Sequence, residues 1–130
     1  MCLGKDENGN QILIERSGSC AIVVLIVGEM CYTANVGDSR ALMSANQGQQ
    51  VIELSHDHKP SEDEEYLRIV AGGGQVYQTT TSTQSVGEND TQPEFIVGPI
   101  RVLPGRLSVS RTVGDPEAKC EVRGGNTNGV

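Results

Sequence analysis

The longest apolar run in the chain extends from Ser19 to Val27, with Val and Ile dominating and no polar residue between Ala21 and Val27. Such a run predicts a strand buried on both faces, because a strand with one wet face would alternate. Gly28-Glu29 breaks it, and Met30 to Val36 is again strand-like, so the two form a predicted hairpin. Arg40 to Ser44 and Val51 to Leu54 read as further short strands, and Gln11 to Ile14 as another near the start. The connections leave no room for helical crossovers, so the pairing must be mainly antiparallel.

The pattern changes at Pro60. Ser61 is a candidate helix N-cap, with Glu64 three residues on completing a capping box and further acidic residues in the first turn. Tyr66, Leu67, Ile69 and Val70 supply one apolar face, and Gly72-Gly73-Gly74 ends the helix before a strand over Gln75 to Tyr77. Those glycines follow a helix and lack Gly-x-Gly-x-x-Gly spacing, so they are read as a C-cap and not a phosphate loop. Gln78 to Gln92 is rich in Thr, Ser and Gln with almost no apolar content, and is expected to be a mobile insertion. Glu94 to Val97, Ile100 to Leu103 and Arg106 to Val109 follow as short predicted strands, separated by Gly98-Pro99 and Pro104-Gly105 turns. Residues 120–130 carry no structural signal and are expected to be a flexible tail.

At 130 residues the chain is one small domain or part of one. Aromatic residues make up only 3%, with Phe95 the sole Phe and no Trp, so a core must be built from aliphatic side chains. A net charge of -7 argues against nucleic acid as a partner, since no basic excess is available for a phosphate backbone. The acidic run Glu62 to Glu65 reads as a solvated first helical turn. The first residues are too polar for a signal peptide and Ala21 to Val27 is too short to span a bilayer, so a protein with no membrane association, cytoplasmic or nuclear, is expected. Cys2, Cys20, Cys31 and Cys120 are scattered without a C-x-x-C pair, which points to neither a zinc site nor a disulfide framework; Cys20 and Cys31 are expected to be buried free thiols.

Three ordered blocks carry more information: Gly37-Asp38-Ser39-Arg40, Asp57-His58-Lys59-Pro60, and Ser108-Val109-Ser110-Arg111-Thr112-Val113-Gly114-Asp115. With Ser17-Gly18-Ser19-Cys20-Ala21, Arg68-Ile69-x-Ala71-Gly72-Gly73 and Gly105-Arg106-Leu107, the stretch from Ser17 to Lys119 resembles the central portion of a PP2C-type metal-dependent protein serine/threonine phosphatase. The resemblance implies an α+β fold, part of an α-β-β-α sandwich of two antiparallel sheets flanked by helices, with residues 1–119 as a partial phosphatase domain. It implies Mg²⁺ or Mn²⁺ as cofactor, phosphoprotein substrates, and direct attack of a metal-activated water on phosphoserine or phosphothreonine. Residues 60–98 would correspond to the family's flap, an element beside the active site associated with substrate choice.

The departures matter equally. No Asp-Gly-His-Gly-Gly, Asp-Gly-x-x-Asp or Asp-Asn block, which supply most of the family's metal ligands, occurs in the chain. No catalytic residue can therefore be assigned, and these 130 residues alone are not expected to hydrolyse substrate. The alternative is a catalytically inactive pseudophosphatase or partner-binding module. Only Asp38 carries over as a metal ligand, matching an aspartate that helps bind a third, weaker metal; the alternative is a turn Asp bonded to its own backbone. His56 and His58 are expected to be structural or solvent-exposed, Arg40 and Arg68 structural, and Arg111 to form an ion pair with Asp115. Missing sheet partners would leave strand edges through which the chain self-associates.

Overall fold

A computed structural model describes residues 3–83 and 94–119. Its elements run β1 (Leu3–Lys5), β2 (Gln11–Leu13), β3 (Gly18–Ser19), β4 (Ala21–Val27), β5 (Met30–Val36), β6 (Leu42–Ala45) and β7 (Gln50–Glu53), then α1 (Asp63–Ala71), β8 (Gln75–Thr83), β9 (Glu94–Leu103), β10 (Val113–Gly114) and α2 (Pro116–Lys119). The strands pair antiparallel as β1–β2, β3–β10, β4–β5, β6–β7 and β8–β9, and no sheet wider than two strands forms among the described residues. The α+β class and the antiparallel pairing expected from the short connections are both present.

The β4–β5 hairpin has Val27 opposite Met30 and Ala21 opposite Val36, with Gly28 at positive φ in the two-residue turn, a conformation a side chain would oppose. Its burial differs from expectation. Val23 to Val27 are exposed, Ile26 at 72%, because β4 pairs only with β5 and no described element covers its faces. The apolar run records what the strand is suited to pack against. Cys31 on β5 is likewise exposed, and Cys20 only half-buried, contrary to the expected pair of buried thiols.

Several boundaries shift for local reasons. The backbone N–H of Glu62 donates to the Lys59 carbonyl at 3.0 Å, so Ser61 lies inside a turn and Glu62 takes the N-cap position without a side-chain cap bond. The strand expected to end at Tyr77 continues through Thr83, pairing with β9; its Thr residues suit an extended backbone despite their polarity. Residues 78–83 of the expected insertion are therefore strand, whereas 84–92 lie outside the described residues, as do the tail, Cys2 and Cys120. Gly98-Pro99 does not divide β9 but sits where the register with β8 shifts between Gln78 and Thr80, a place where a proline removes no ladder bond. Arg106 to Val109 is no strand: Leu107 makes a single bridge to Val102, the Val102 N–H donating to the Leu107 carbonyl at 2.8 Å.

The core is small and lies between α1 and the β8–β9 ladder. Ile69 on α1 and Val102 on β9 are fully buried, with Ala118 of α2 beside them in burial. Gly74 packs so tightly on Ile69 that a Cβ there would stand 2.7 Å from the Ile69 Cγ2, so a smaller residue is required where helix gives way to strand. This core fixes α1 beside the segment 104–112, and thereby the loop from β7 to α1 that carries His56, Asp57 and His58.

Candidate functional site

β5 ends at Val36 and hands the chain to Gly37-Asp38-Ser39-Arg40, a turn at the rim of the hairpin. Gly37 is buried with φ +108°, and a Cβ there would run into the Cys20 side chain and come within 3.2 Å of the Cys20 Cα. Both features demand glycine. Gly37→Ala should cost about 1–3 kcal/mol of folding stability from backbone strain alone, measured as a lowered urea midpoint; an unshifted midpoint would remove this turn from the strained positions of the fold.

The Gly37 peptide is held from several directions. Its N–H donates to the His58 Nδ1 at 3.1 Å, and its carbonyl accepts from the His58 N–H at 3.0 Å and from the Asn35 Nδ2 at 3.1 Å. The same Asn35 Nδ2 donates to the His56 carbonyl at 2.8 Å. The end of β5 is thus tied to the loop after β7, which in turn is tied to the segment after β9 by the Ser110 N–H donating to the His58 carbonyl at 2.9 Å. Burial lowers the His58 pKa, the Arg111 and Arg68 charges adding to the effect against opposition from Glu65 and Asp57.

Asp38 itself is exposed, and among the described residues its one side-chain hydrogen bond comes from the Cys20 thiol, which donates to Oδ1 at 3.7 Å. No cation pairs with it among the described residues. Asp38 is one of the residues lining a cleft of about 400 Å³ whose walls include Lys59, Pro60, Ser61, Pro99 and Ile100. Among the described residues the Asp38 carboxylate makes no hydrogen bond to the backbone of its own turn.

The neighbouring charges are occupied. Arg40 donates to both oxygens of Asp57, from Nε at 2.9 Å and NH2 at 3.0 Å, and its NH1 stands 3.4 Å from Glu53. Lys59 Nζ adds a contact to Asp57 Oδ2 at 2.9 Å. The Arg40 hydrogen bonds, then those of Lys59, hold the Asp57 carboxyl well below the usual carboxylate range. The planar fork of Arg40, for which a structural role is expected, is committed to a carboxylate.

Glu65 is the feature that sequence reading missed. It is 6% exposed and accepts from the Arg68 NH2 at 2.9 Å, from the Arg111 NH2 at 2.6 Å and Nε at 3.0 Å, and from the Ser110 hydroxyl. The Arg68 NH2 also donates to the Ser110 carbonyl at 2.6 Å. Arg111 thus pairs with Glu65 and not with Asp115, which instead sits at positive φ and starts α2, its carbonyl accepting from the Ala118 N–H at 3.0 Å. A signal was available: Glu65 lies four residues before Ile69, on the inward face of the helix, whereas Glu62, Asp63 and Glu64 are exposed.

Two of the three sequence blocks therefore meet at Gly37, the third joins them through the bond from Ser110 to His58, and Glu65 ties that third block to α1. Asp38 suits one position in the shell of a hard divalent cation, being an exposed, unneutralised oxygen donor. The described residues do not complete that shell, for no group of three or more His, Cys, Asp or Glu among them is placed to hold a metal ion.

Residues 3–127 match the family model described as protein phosphatase 2C. The chain is similar to "Probable protein phosphatase 2C 6" of Oryza sativa subsp. japonica, 36% identical over 110 residues that cover 78% of this chain and 23% of the relative. It is 50% identical over 60 residues to "Probable protein phosphatase CG10417" of Drosophila melanogaster, covering 46% of this chain and 9% of that protein. An "Adenylate cyclase" of Lachancea kluyveri is 39% identical over 88 residues, 64% of this chain and 5% of that one. The chain thus spans less than a quarter of each of these relatives.

Proposed function

The chain belongs to the protein phosphatase 2C family, and from this we propose that it forms the part of a metal-dependent protein serine/threonine phosphatase that presents Asp38 to the metal cleft. The observation that carries the reading is Asp38 itself. It is an exposed carboxylate with no cation beside it among the described residues, on a turn whose preceding peptide is bonded from both sides. A divalent ion, Mg²⁺ or Mn²⁺, would supply water activation and screening of the substrate phosphate when bound.

The chain's own residues do the positioning. Asp38 is offered as one oxygen ligand; Arg40 and Lys59 spend their charge on Asp57 and keep the loop after β7 in place. The phosphate of a phosphoserine or phosphothreonine would approach from the cleft beside Asp38, with Pro99 and Ile100 forming apolar walls for neighbouring substrate residues. Phosphoproteins in the cytoplasm or nucleus are the proposed substrates. The uncovered apolar residues of β4–β5 support self-association of the isolated chain.

One carboxylate makes a weak Mg²⁺ or Mn²⁺ ligand set, so the purified chain should bind Mn²⁺ weakly and show no turnover of a phosphothreonine peptide. In calorimetric titration Asp38→Ala should weaken Mn²⁺ binding at least several-fold. Equal affinity in the variant would remove Asp38 from the ligand set. Metal-dependent turnover by the chain, lost in the variant, would instead mean that these residues assemble a catalytic centre on their own.

A further inference from the structure

We infer that His58 is a positioning residue for Asp38: its ring and its backbone together fix the Gly37 peptide, and with it the direction in which the Asp38 carboxylate is presented. This rests on the reading of Asp38 as a metal ligand.

The geometry is specific. Gly37 has one N–H and one carbonyl, and His58 meets both, accepting at Nδ1 from the N–H at 3.1 Å and donating its own N–H to the carbonyl at 3.0 Å. The N–H lies in the Val36–Gly37 peptide and the carbonyl in the Gly37–Asp38 peptide, so one partner holds the planes on both sides of the Gly37 Cα, and turning either plane breaks a contact to His58. The N–H bond also fixes the state of the ring: Nδ1 can accept only if it carries no proton, so the single proton of the neutral imidazole is on Nε2. Gly37 needs this support because φ +108° leaves its own backbone preference weak, glycine having a broad choice of conformations. Asn35 supports the carbonyl from the strand side, but among the described residues no group other than His58 meets the N–H.

A general packing role for the imidazole would be insensitive to which atom sits at the Nδ1 position. The proposed role is not. Asn places its Oδ1 close to where the histidine carries Nδ1, so His58→Asn retains the acceptor. His58→Leu fills a similar volume without one, and His58→Gln carries its acceptor one bond further out.

The test is amide hydrogen exchange at Gly37, read by NMR on the full 130-residue chain, together with Mn²⁺-induced line broadening at the Asp38 and Ser39 amides. Loss of one neutral hydrogen bond should speed Gly37 exchange about 5- to 10-fold in His58→Leu and in His58→Gln, with His58→Asn close to the parent. The broadening should fall several-fold in the first two variants and be retained in His58→Asn. Should His58→Leu fail to fold, the comparison of His58→Asn with His58→Gln reads the same difference. Parental exchange and broadening in His58→Gln, and in His58→Leu where it folds, would overturn the role of His58 while leaving Asp38 as ligand. Absence of broadening at Asp38 in the parent chain would instead overturn the ligand reading, and the positioning role with it.

Discussion

Glu65→Ala is expected to lower the stability of the chain by about 3–5 kcal/mol, the range found when one partner of a buried ion pair is removed and its counter-charge is left behind. The cost arises from what remains. Arg68 and Arg111 both donate to Glu65, and the Ser110 hydroxyl does too, so a single truncation leaves three donors without their acceptor. Arg111 can turn toward water, its side chain being 46% exposed, while Arg68 at 30% has less freedom and already has a buried Nε without a partner. The converse truncation should be milder. In Arg111→Ala, Glu65 keeps Arg68 and Ser110, so the loss should be about 1.5–3 kcal/mol, the scale of a hydrogen bond to a charged group. Urea unfolding with unchanged slope would measure both. An Arg111→Ala loss equal to or greater than that of Glu65→Ala would mean that the carboxylate is not the centre of the network.

This network shows what a single sequence does and does not disclose. Local signals place the elements well: the β4–β5 hairpin, the helix ending at Gly72 and the antiparallel pairing all follow from spacing and turn residues within a few positions. Asp38 stands just past the end of β5, after the strand that the sequence predicts over Met30 to Val36. What escaped is set by contacts distant in sequence. Glu65 looks like one of four solvated acids until Ser110 and Arg111, more than 40 residues on, are brought against it. Arg111 has Asp115 as its near neighbour in sequence, but the positive φ of Gly114 and Asp115 diverts the chain into α2, and Glu65 takes the guanidinium. The buried environment read for β4 fails for a related reason. Residue type records which surroundings a strand suits, and only the elements present in the chain decide whether those surroundings exist.

The same carboxylate should make the chain acid-labile in a defined interval. Burial alone would raise the Glu65 pKa, but the hydrogen bonds from Arg111, Arg68 and Ser110 together outweigh it and bring the group from 4.5 down to about 2. A carboxyl with a depressed folded pKa binds its proton more readily in the unfolded chain, so stability rises with pH across the gap. The contribution is fully present above pH 4.5 and is lost as the pH falls through the folded value near 2. A lowering from 4.5 to about 2 corresponds to about 3 kcal/mol. Asp57 has a depressed pKa too, and His58, also depressed, must charge in acid, so both act with the same sign and the total acid sensitivity does not isolate Glu65. The difference between the parent and Glu65→Gln does. Gln retains the shape and one acceptor oxygen but cannot titrate, so the stability gap between the two proteins should be widest near neutral pH and should shrink by about 3 kcal/mol in strong acid, where the parent carboxyl is protonated as well. A gap that stays constant over that interval would mean that the three donors do not distinguish the ionised from the neutral carboxyl, and the stability of the α1 contact would then lie in packing around Ile69 and Val102.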